Sequence, residues 1–176
     1  MENEHTVLYQ LTETSPFMMS FVVITKQNNA IIIDGGMEAD MPLLKEYVGN
    51  RHVSAWILTH AHSDHIDGFV SEMRKNGGKD FDIEKIYYNF PPYSLIEKHD
   101  VPDYEYFKSE LDEMLPAFDE VLPLFRDKTH IVTQGESIQI DEVQIDFLFT
   151  YHPDLVANLM NDSSLVFKLT TDRKSV

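Results

Sequence analysis

The run Thr59-His60-Ala61-His62-Ser63-Asp64-His65 places three imidazoles and one carboxylate within six consecutive positions. It follows directly on the apolar stretch Ser54-Ala55-Trp56-Ile57-Leu58. In an extended chain, side chains two residues apart point the same way. His60 and His62 are therefore expected to converge on one point beyond the end of a strand. Asp64 and His65 follow on a turn, where neighbouring side chains diverge. This spacing suits two adjacent metal positions, one held by His60 and His62 and the other by Asp64 and His65. Imidazole nitrogen and carboxylate oxygen are ordinary zinc ligands, and imidazole also suits iron. A patch of solvated surface histidines is the alternative. It explains neither the density of the cluster nor its placement after a buried strand.

The elements that would position this cluster are readable on both sides of it. Thr6–Leu11, Phe17–Thr25 and Ala30–Asp34 read as strands, the last two joined by the polar turn Lys26-Gln27-Asn28-Asn29 as a hairpin. Phe21-Val22-Val23-Ile24 and Ile31-Ile32-Ile33 are too uniformly apolar for a sheet wet on one face, and imply strands covered on both sides. Asp34-Gly35-Gly36 ends the third strand in a turn. A short helix over Met41 to Val48 then leads into the strand Val53–Leu58 that delivers the histidines. After the cluster, Ile66, Phe69, Val70 and Met73 lie at i, i+3, i+4 and i+7 and make one apolar helix face. Asp67 and Glu72 lie toward its start. Arg74, Lys75 and Gly77-Gly78 close it, as dipole and capping preferences require. Asp64 and His65 thus fall where the helix begins, and its positive end favours the ionised carboxylate that a metal needs. Strand, histidine loop and helix form one βα unit with its ligands at the carboxyl edge of a sheet, the usual edge for ligand sites in α/β folds.

Downstream, Glu84–Phe90 reads as a strand ended by Pro91-Pro92. A helix is expected from about Asp103, with Tyr104, Phe107, Leu111, Met114, Leu115 and Phe118 on one stripe and Pro116 kinking or shortening it. Core packing is the simpler reading of that stripe, and a cover over the metal cleft is the functional one. The segments His130–Thr133, Ser137–Ile140, Val143–Thr150 and Ser164–Thr170 read as a second set of strands.

A chain of 176 residues with 43% hydrophobic content makes one globular domain with a proper core. No apolar run approaches the ~20 residues of a membrane span, and the acidic start Met1-Glu2-Asn3-Glu4-His5 lacks the order of a signal peptide. Cytoplasmic residence is the expectation. The chain has no cysteine, which removes disulfides, thiol nucleophiles and thiolate zinc sites. Thirty acidic against fourteen basic residues give a formal charge of −16, which disfavours an extensive nucleic-acid surface. A bound dication would reverse that field locally, so an anionic substrate at the metal stays compatible. No membrane partner is expected.

With these residues in view, the sequence resembles the metallo-β-lactamase-fold hydrolases. Thr59–His65 matches their HxHxDH signature, followed by Ile66-Asp67-Gly68 where members usually carry an "IGG" or "xGG" step. Asp34-Gly35-Gly36 after an apolar strand matches a recurrent feature. Asn161–Leu169 resembles the "NxxSLVL" segment of the branch containing the hydrolase-like domain of bacterial DNA-uptake competence channels. The resemblance implies an α/β protein with the αβ/βα four-layer sandwich, residues 1–176 forming one such domain that is incomplete in its carboxyl-terminal half. It implies two metals, zinc first and Mn2+ or Fe as other options, in a full-length parent. A third His normally precedes the strand holding Ser164–Leu169, and Asn161, Asp162 or Ser163 stands in its place, with His152 as a nearby substitute. The bridging Asp and final His of the family would lie past Arg173-Lys174-Ser175-Val176. His5, His52, His99 and His130 are read as solvated or locally hydrogen-bonded.

The resemblance implies a metal-dependent hydrolase in which His60 and His62 hold one metal and Asp64 and His65 the other. Asp64 would also orient the attacking hydroxide and take its proton. Asp34 has two open readings: a carboxylate supporting a ligating imidazole, or a turn-forming Asp before two glycines. The substrate is open between a small ester, thioester or lactam, which suits the acidic balance, and a phosphodiester, which suits the "NxxSLVL" likeness. Two competitors stand beside this. One is an incomplete, non-catalytic binding or structural module with a weak or absent metal site; the other is di-iron redox chemistry. If the sandwich is incomplete, the edge after Leu169 is expected to seek a partner, giving a homodimer or strand exchange.

Overall fold

The computed structural model describes residues 4–12, 14–96, 104–154 and 160–171. Its elements run β1 (Val7–Gln10), β2 (Ser20–Ile24), β3 (Ala30–Asp34), α1 (Met41–Val48), β4 (His52–Ile57) and α2 (Ser63–Asn76). There follow β5 (Asp82–Ile83), β6 (Ile86–Tyr88), α3 (Tyr93–Ile96), α4 (Tyr104–Val121), β7 (Thr129–Ile131), β8 (Ser137–Ile140), β9 (Val143–Phe149) and β10 (Val166–Thr170). Among the described residues these make a seven-stranded sheet of order β1-β2-β3-β4-β6-β7, with β5 on β4, and a three-stranded sheet of order β10-β9-β8. The first three strands pair antiparallel, while β3, β4, β6 and β7 pair parallel. The protein is a mixed α/β fold, as expected.

The uniformly apolar strands are covered on both faces, and the two-residue period decides which side chain goes where. Val22, Ile24, Ile32, Trp56 and Leu58 face the helices, in a core with Leu44 of α1 and Ile66, Phe69 and Val70 of α2. Val23, Ile31, Ile33, Ala55 and Ile57 face the second sheet and pack against Val143, Ile145, Phe147, Leu165 and Leu169. Helices, large sheet and small sheet are thus three successive layers. Among the described residues no helix covers the outer face of the small sheet. At the far end, the β8–β9 turn clasps the β2–β3 turn. Asp141 Oδ2 accepts from Thr25 Oγ1 at 2.6 Å and Asn29 Nδ2 at 3.0 Å, and Glu142 Oε1 accepts from the Lys26 amide at 2.9 Å.

Several expectations need correction. His130–Thr133 has the composition of the second set of strands, but β7 is a parallel edge strand on β6 in the large sheet. Strand composition shows that a segment is extended and leaves its partner open. Helix α4 runs five residues beyond Pro116 to Val121 before a 3-10 stretch over Leu122–Lys128. Its described apolar residues Met114, Leu115 and Phe118 are buried, Phe118 lying 4.9 Å ring to ring from both Tyr88 and Phe90. Core packing is therefore the role of that part of the stripe. Glu72 sits in the second half of α2, not near its start. It is buried beside α1, where Lys45 Nζ meets its carboxylate at 2.8 Å and Asn76 Nδ2 donates to it at 2.9 Å. His99, the helix start at Asp103 and the segment Arg173–Val176 lie outside the described residues. Among the described residues no helix is long and apolar enough to cross a membrane.

Candidate metal centre

The histidine run occupies the seam between β4 and α2. Strand β4 enters the core as Val53, Ser54, Ala55, Trp56 and Ile57, and its exit is fixed from two directions. Leu58 donates its amide to the Tyr87 carbonyl at 2.9 Å, and the Leu165 amide donates to the Thr59 carbonyl at 2.9 Å. His62 takes extended backbone (φ −80°, ψ 152°) at the N-cap of α2, so Asp64 and His65 lie in the first turn. Gly77 closes the helix in left-handed geometry.

Within this seam His60 Nε2 and His62 Nδ1 face each other at 3.2 Å, and both side chains are buried. His65 Nε2 lies 3.5 Å from Asp64 Oδ2. The two pairs are adjacent, with the rings of His60 and His65 3.9 Å apart between centroids. The four side chains therefore lie near one another, with His60 beside both His62 and His65.

Asp34 joins this cluster, both as the turn-forming residue and as a carboxylate on the His65 ring. Its backbone is left-handed (φ 57°), as a turn before two glycines demands, and Gly36 follows at φ 66°. Its carboxylate accepts from His65 Nδ1 at 2.7 Å and from the Thr59 hydroxyl at 2.8 Å through Oδ2, and from the Thr59 amide at 2.8 Å through Oδ1. The indole of Trp56 donates to the Asp34 carbonyl at 3.0 Å, fixing the turn from the core side. The turn also grips α2: the Gly35 amide donates to the His65 carbonyl at 2.7 Å, and the Gly68 amide to the Gly36 carbonyl at 2.8 Å. Gly68 is required there, because a Cβ would stand 2.6 Å from the Gly35 carbonyl oxygen.

The imidazoles differ in charge preference. Burial, helped by the neighbouring His65 and His62, pushes the His60 pKa down to about 2, so this ring is neutral at physiological pH and its lone pair is available to a metal. Burial also opposes charge on His65. There the hydrogen bond and charge of Asp34, together with the charge of Asp64, outweigh it and hold the pKa above the ordinary histidine range. A proton on His65 Nε2 would compete with a metal, so binding at the Asp64–His65 position should strengthen as pH rises.

The other candidates differ from these four in exposure or in partner. His152 is largely exposed and lies 3.5 Å from Asp154. Asn161 and Asp162 are exposed, and the buried Ser163 spends its hydroxyl hydrogen on the Met160 carbonyl at 2.8 Å. His52 and His130 pair with carboxylates elsewhere, His52 with Asp82 and Glu84 and His130 with Glu136. Among the described residues, no group of three or more His, Asp or Glu side chains is disposed around a single ion. The donor set is thus two nitrogen or oxygen pairs, chemically right for zinc, each supplying half of the four ligands zinc usually takes.

Sequence spacing assigns no role to Thr59. Its only signal was a hydroxyl-bearing residue at the end of a buried strand, immediately before the first histidine. Beside the cluster a groove of about 470 Å3 opens between the two sheets. His60, His65, Thr59 and Asp34 line one part of it, and Leu8, Phe21, Ile33 and Phe167 make much of the rest.

A family model of the metallo-beta-lactamase superfamily matches residues 15–155. The chain belongs to this superfamily. Its fold recurs in solved metallo-beta-lactamase relatives at identities that speak to architecture alone. AidC, a dizinc quorum-quenching lactonase, superposes with a TM-score of 0.61 at 17% identity, over 90% of this chain and 54% of its own. A metallo-beta-lactamase from Staphylococcus aureus gives 0.53 at 16% identity, over 96% and 40%. The metallo-beta-lactamase fold protein YhfI from Bacillus subtilis gives 0.50 at 18%, over 94% and 55%. The chain therefore spans between 40% and 55% of the length of these relatives. No curated protein sequence matches it significantly.

Proposed function

We propose that this metallo-beta-lactamase superfamily chain carries the zinc-binding loop of a dinuclear hydrolase acting on an ester-type substrate. The observation that supports it most is the pairing of His60 with His62 and of Asp64 with His65, side by side, with the Asp34 carboxylate backing His65. His60 and His62 would hold one zinc, and Asp64 and His65 the other. When bound, the metal supplies Lewis acidity, polarising the scissile oxygen and lowering the pKa of a water toward about 7. The chain's own residues do the rest. Asp64, fixed in the first turn of α2, presents a carboxylate that orients the attacking water and accepts its proton. The helix N-terminus favours that carboxylate in its ionised form. Asp34 holds the His65 ring so that Nε2 faces the centre.

The apolar wall of the groove supports an ester with an apolar flank over a phosphodiester. That the solved neighbour AidC is described as a lactonase, in complex with a product of N-acyl homoserine type, points the same way. The position of β10 at the edge of the small sheet among the described residues further supports self-association by strand addition, which sedimentation over a wide concentration range would test.

The test is zinc stoichiometry measured beside hydrolysis of a nitrophenyl ester, a homoserine lactone and bis-nitrophenyl phosphate. Near two equivalents of zinc with chelator-sensitive ester or lactone hydrolysis is the expected result. A second reading, a non-catalytic module with a weak metal site, draws on the count of two donors per position among the described residues. It would be upheld by substoichiometric zinc, no turnover, and a melting temperature indifferent to chelator.

A further inference from the structure

The Thr59 side chain lies between the His60 and His65 rings, and its hydrogen bonds constrain the protons of the cluster. Its Oγ1 is 2.8 Å from Asp34 Oδ2, 3.1 Å from His60 Nδ1 and 3.3 Å from His65 Nδ1. A hydroxyl has one hydrogen to give and lone pairs to receive with, whereas a carboxylate only accepts. The short contact to Asp34 therefore consumes the Thr59 hydrogen. Thr59 can then only accept from His60, so His60 must carry its hydrogen on Nδ1. Its remaining lone pair is left on Nε2, the atom that faces His62. Asp34 fixes a hydrogen on His65 Nδ1, which donates to Oδ2 at 2.7 Å, so that in the neutral ring Nε2 is the nitrogen left free toward Asp64.

We infer that Thr59 is a positioning residue that, with Asp34, locks His60 and His65 into the Nδ1–H tautomer and so aims one ligating nitrogen of each proposed metal pair at the centre. One hydroxyl thus serves both positions, which no simple strand-ending role would require. This inference rests on the zinc reading for its purpose, but the tautomer itself is a property of the metal-free chain.

The experiment follows from that difference. Nitrogen-15 spectra of the histidine rings are recorded on metal-free wild type, Thr59→Val and Thr59→Ser, and zinc affinity is measured on each by competition with a chromophoric chelator. Valine keeps the shape and removes the hydroxyl, while serine keeps the hydroxyl. Wild type should show His60 with hydrogen on Nδ1, Thr59→Val should lose that preference, and Thr59→Ser should restore it. Zinc affinity should fall about 10- to 100-fold in Thr59→Val and return in Thr59→Ser. A wild-type His60 carrying its hydrogen on Nε2 overturns the inference without any variant, which keeps it testable even if Thr59→Val fails to fold. A tautomer unchanged in a folded Thr59→Val overturns it as well. Tautomers that respond as expected in a protein that binds no zinc would uphold the Thr59 assignment and reject the hydrolase reading.

Discussion

Gly68→Ala sets two well-characterised effects against each other. Gly68 lies inside α2, and replacing an interior helical glycine by alanine normally gains about 1 kcal/mol. Here the new Cβ would meet the Gly35 carbonyl oxygen at 2.6 Å, the Met41 sulfur at 2.8 Å and the Met37 carbonyl oxygen at 3.0 Å, where ordinary contact begins near 3.4 Å. The Met41 thioether can swing away. The two carbonyls cannot, because they belong to the backbone of the turn that grips α2. Either helix or turn must then give by most of an ångström, an overpacking that typically costs 1 to 3 kcal/mol on its own. Contacts this short belong in the upper part of that range, so the net loss should be about 1 to 2 kcal/mol. At roughly 2 to 4 °C per kcal/mol for a chain of this size, the melting temperature should drop by about 2 to 8 °C. The displacement falls on the hydrogen bonds from Gly35 to His65 and from Gly68 to Gly36, so zinc affinity should weaken by about tenfold or more. Thermal unfolding of the metal-free variant, followed by chelator competition, reads both. A melting temperature equal to or above wild type would mean that helix propensity won and that the glycine is not needed for close approach.

Asp64→Ala should lower bound zinc from near two equivalents to near one and reduce turnover by about 100-fold or more, with the circular dichroism unchanged; two equivalents retained would remove Asp64 from the ligand set. Phe147→Ala opens a void between the sheets, where Phe147 is fully buried beside Tyr87 and Phe167. It should cost about 3 to 5 kcal/mol in urea unfolding, and a loss below 1 kcal/mol would show that the two sheets do not share that core. His52 hydrogen-bonds Glu84 and Asp82, which raise its pKa above the ordinary histidine range. A raised folded-state pKa gives stability that is complete below the unfolded value and disappears as pH climbs through the folded one. His52→Gln should therefore be less stable than wild type at pH 5.5 by urea midpoint and indistinguishable from it near pH 9. An equal gap at both pH values would assign the difference to packing.

The parts of this molecule that were legible in its sequence are those specified locally. Ala30–Asp34 and Met41–Val48 coincide with the observed β3 and α1 because each is bounded by residues with strong backbone preferences: Asn28-Asn29 and Gly35-Gly36 around the strand, Pro42 and Gly49 near the helix ends. The juxtaposition of His60, His62, Asp64 and His65 was legible for the same reason, since they lie so close in sequence that the strand-to-helix switch alone brings them together. What could not be read depends on distant partners. Thr59 takes its role from Asp34, 25 residues earlier, through a turn whose geometry no spacing rule supplies. Strand β7 has the composition of any short strand, and only the crossover through α4 commits it to β6. His152 looked serviceable from its proximity in sequence, yet the loop carrying it turns the imidazole outward.

The peptide contact between Leu165 and Thr59 makes the small sheet a mechanical neighbour of the imidazole loop. One amide spans from the start of β10 to the residue just before His60. Any shift of β10 would therefore reach, through that amide, the backbone that carries the first imidazole. A change in the small sheet, such as a smaller side chain at the buried Leu165, should accordingly be detectable in the ring signals of His60.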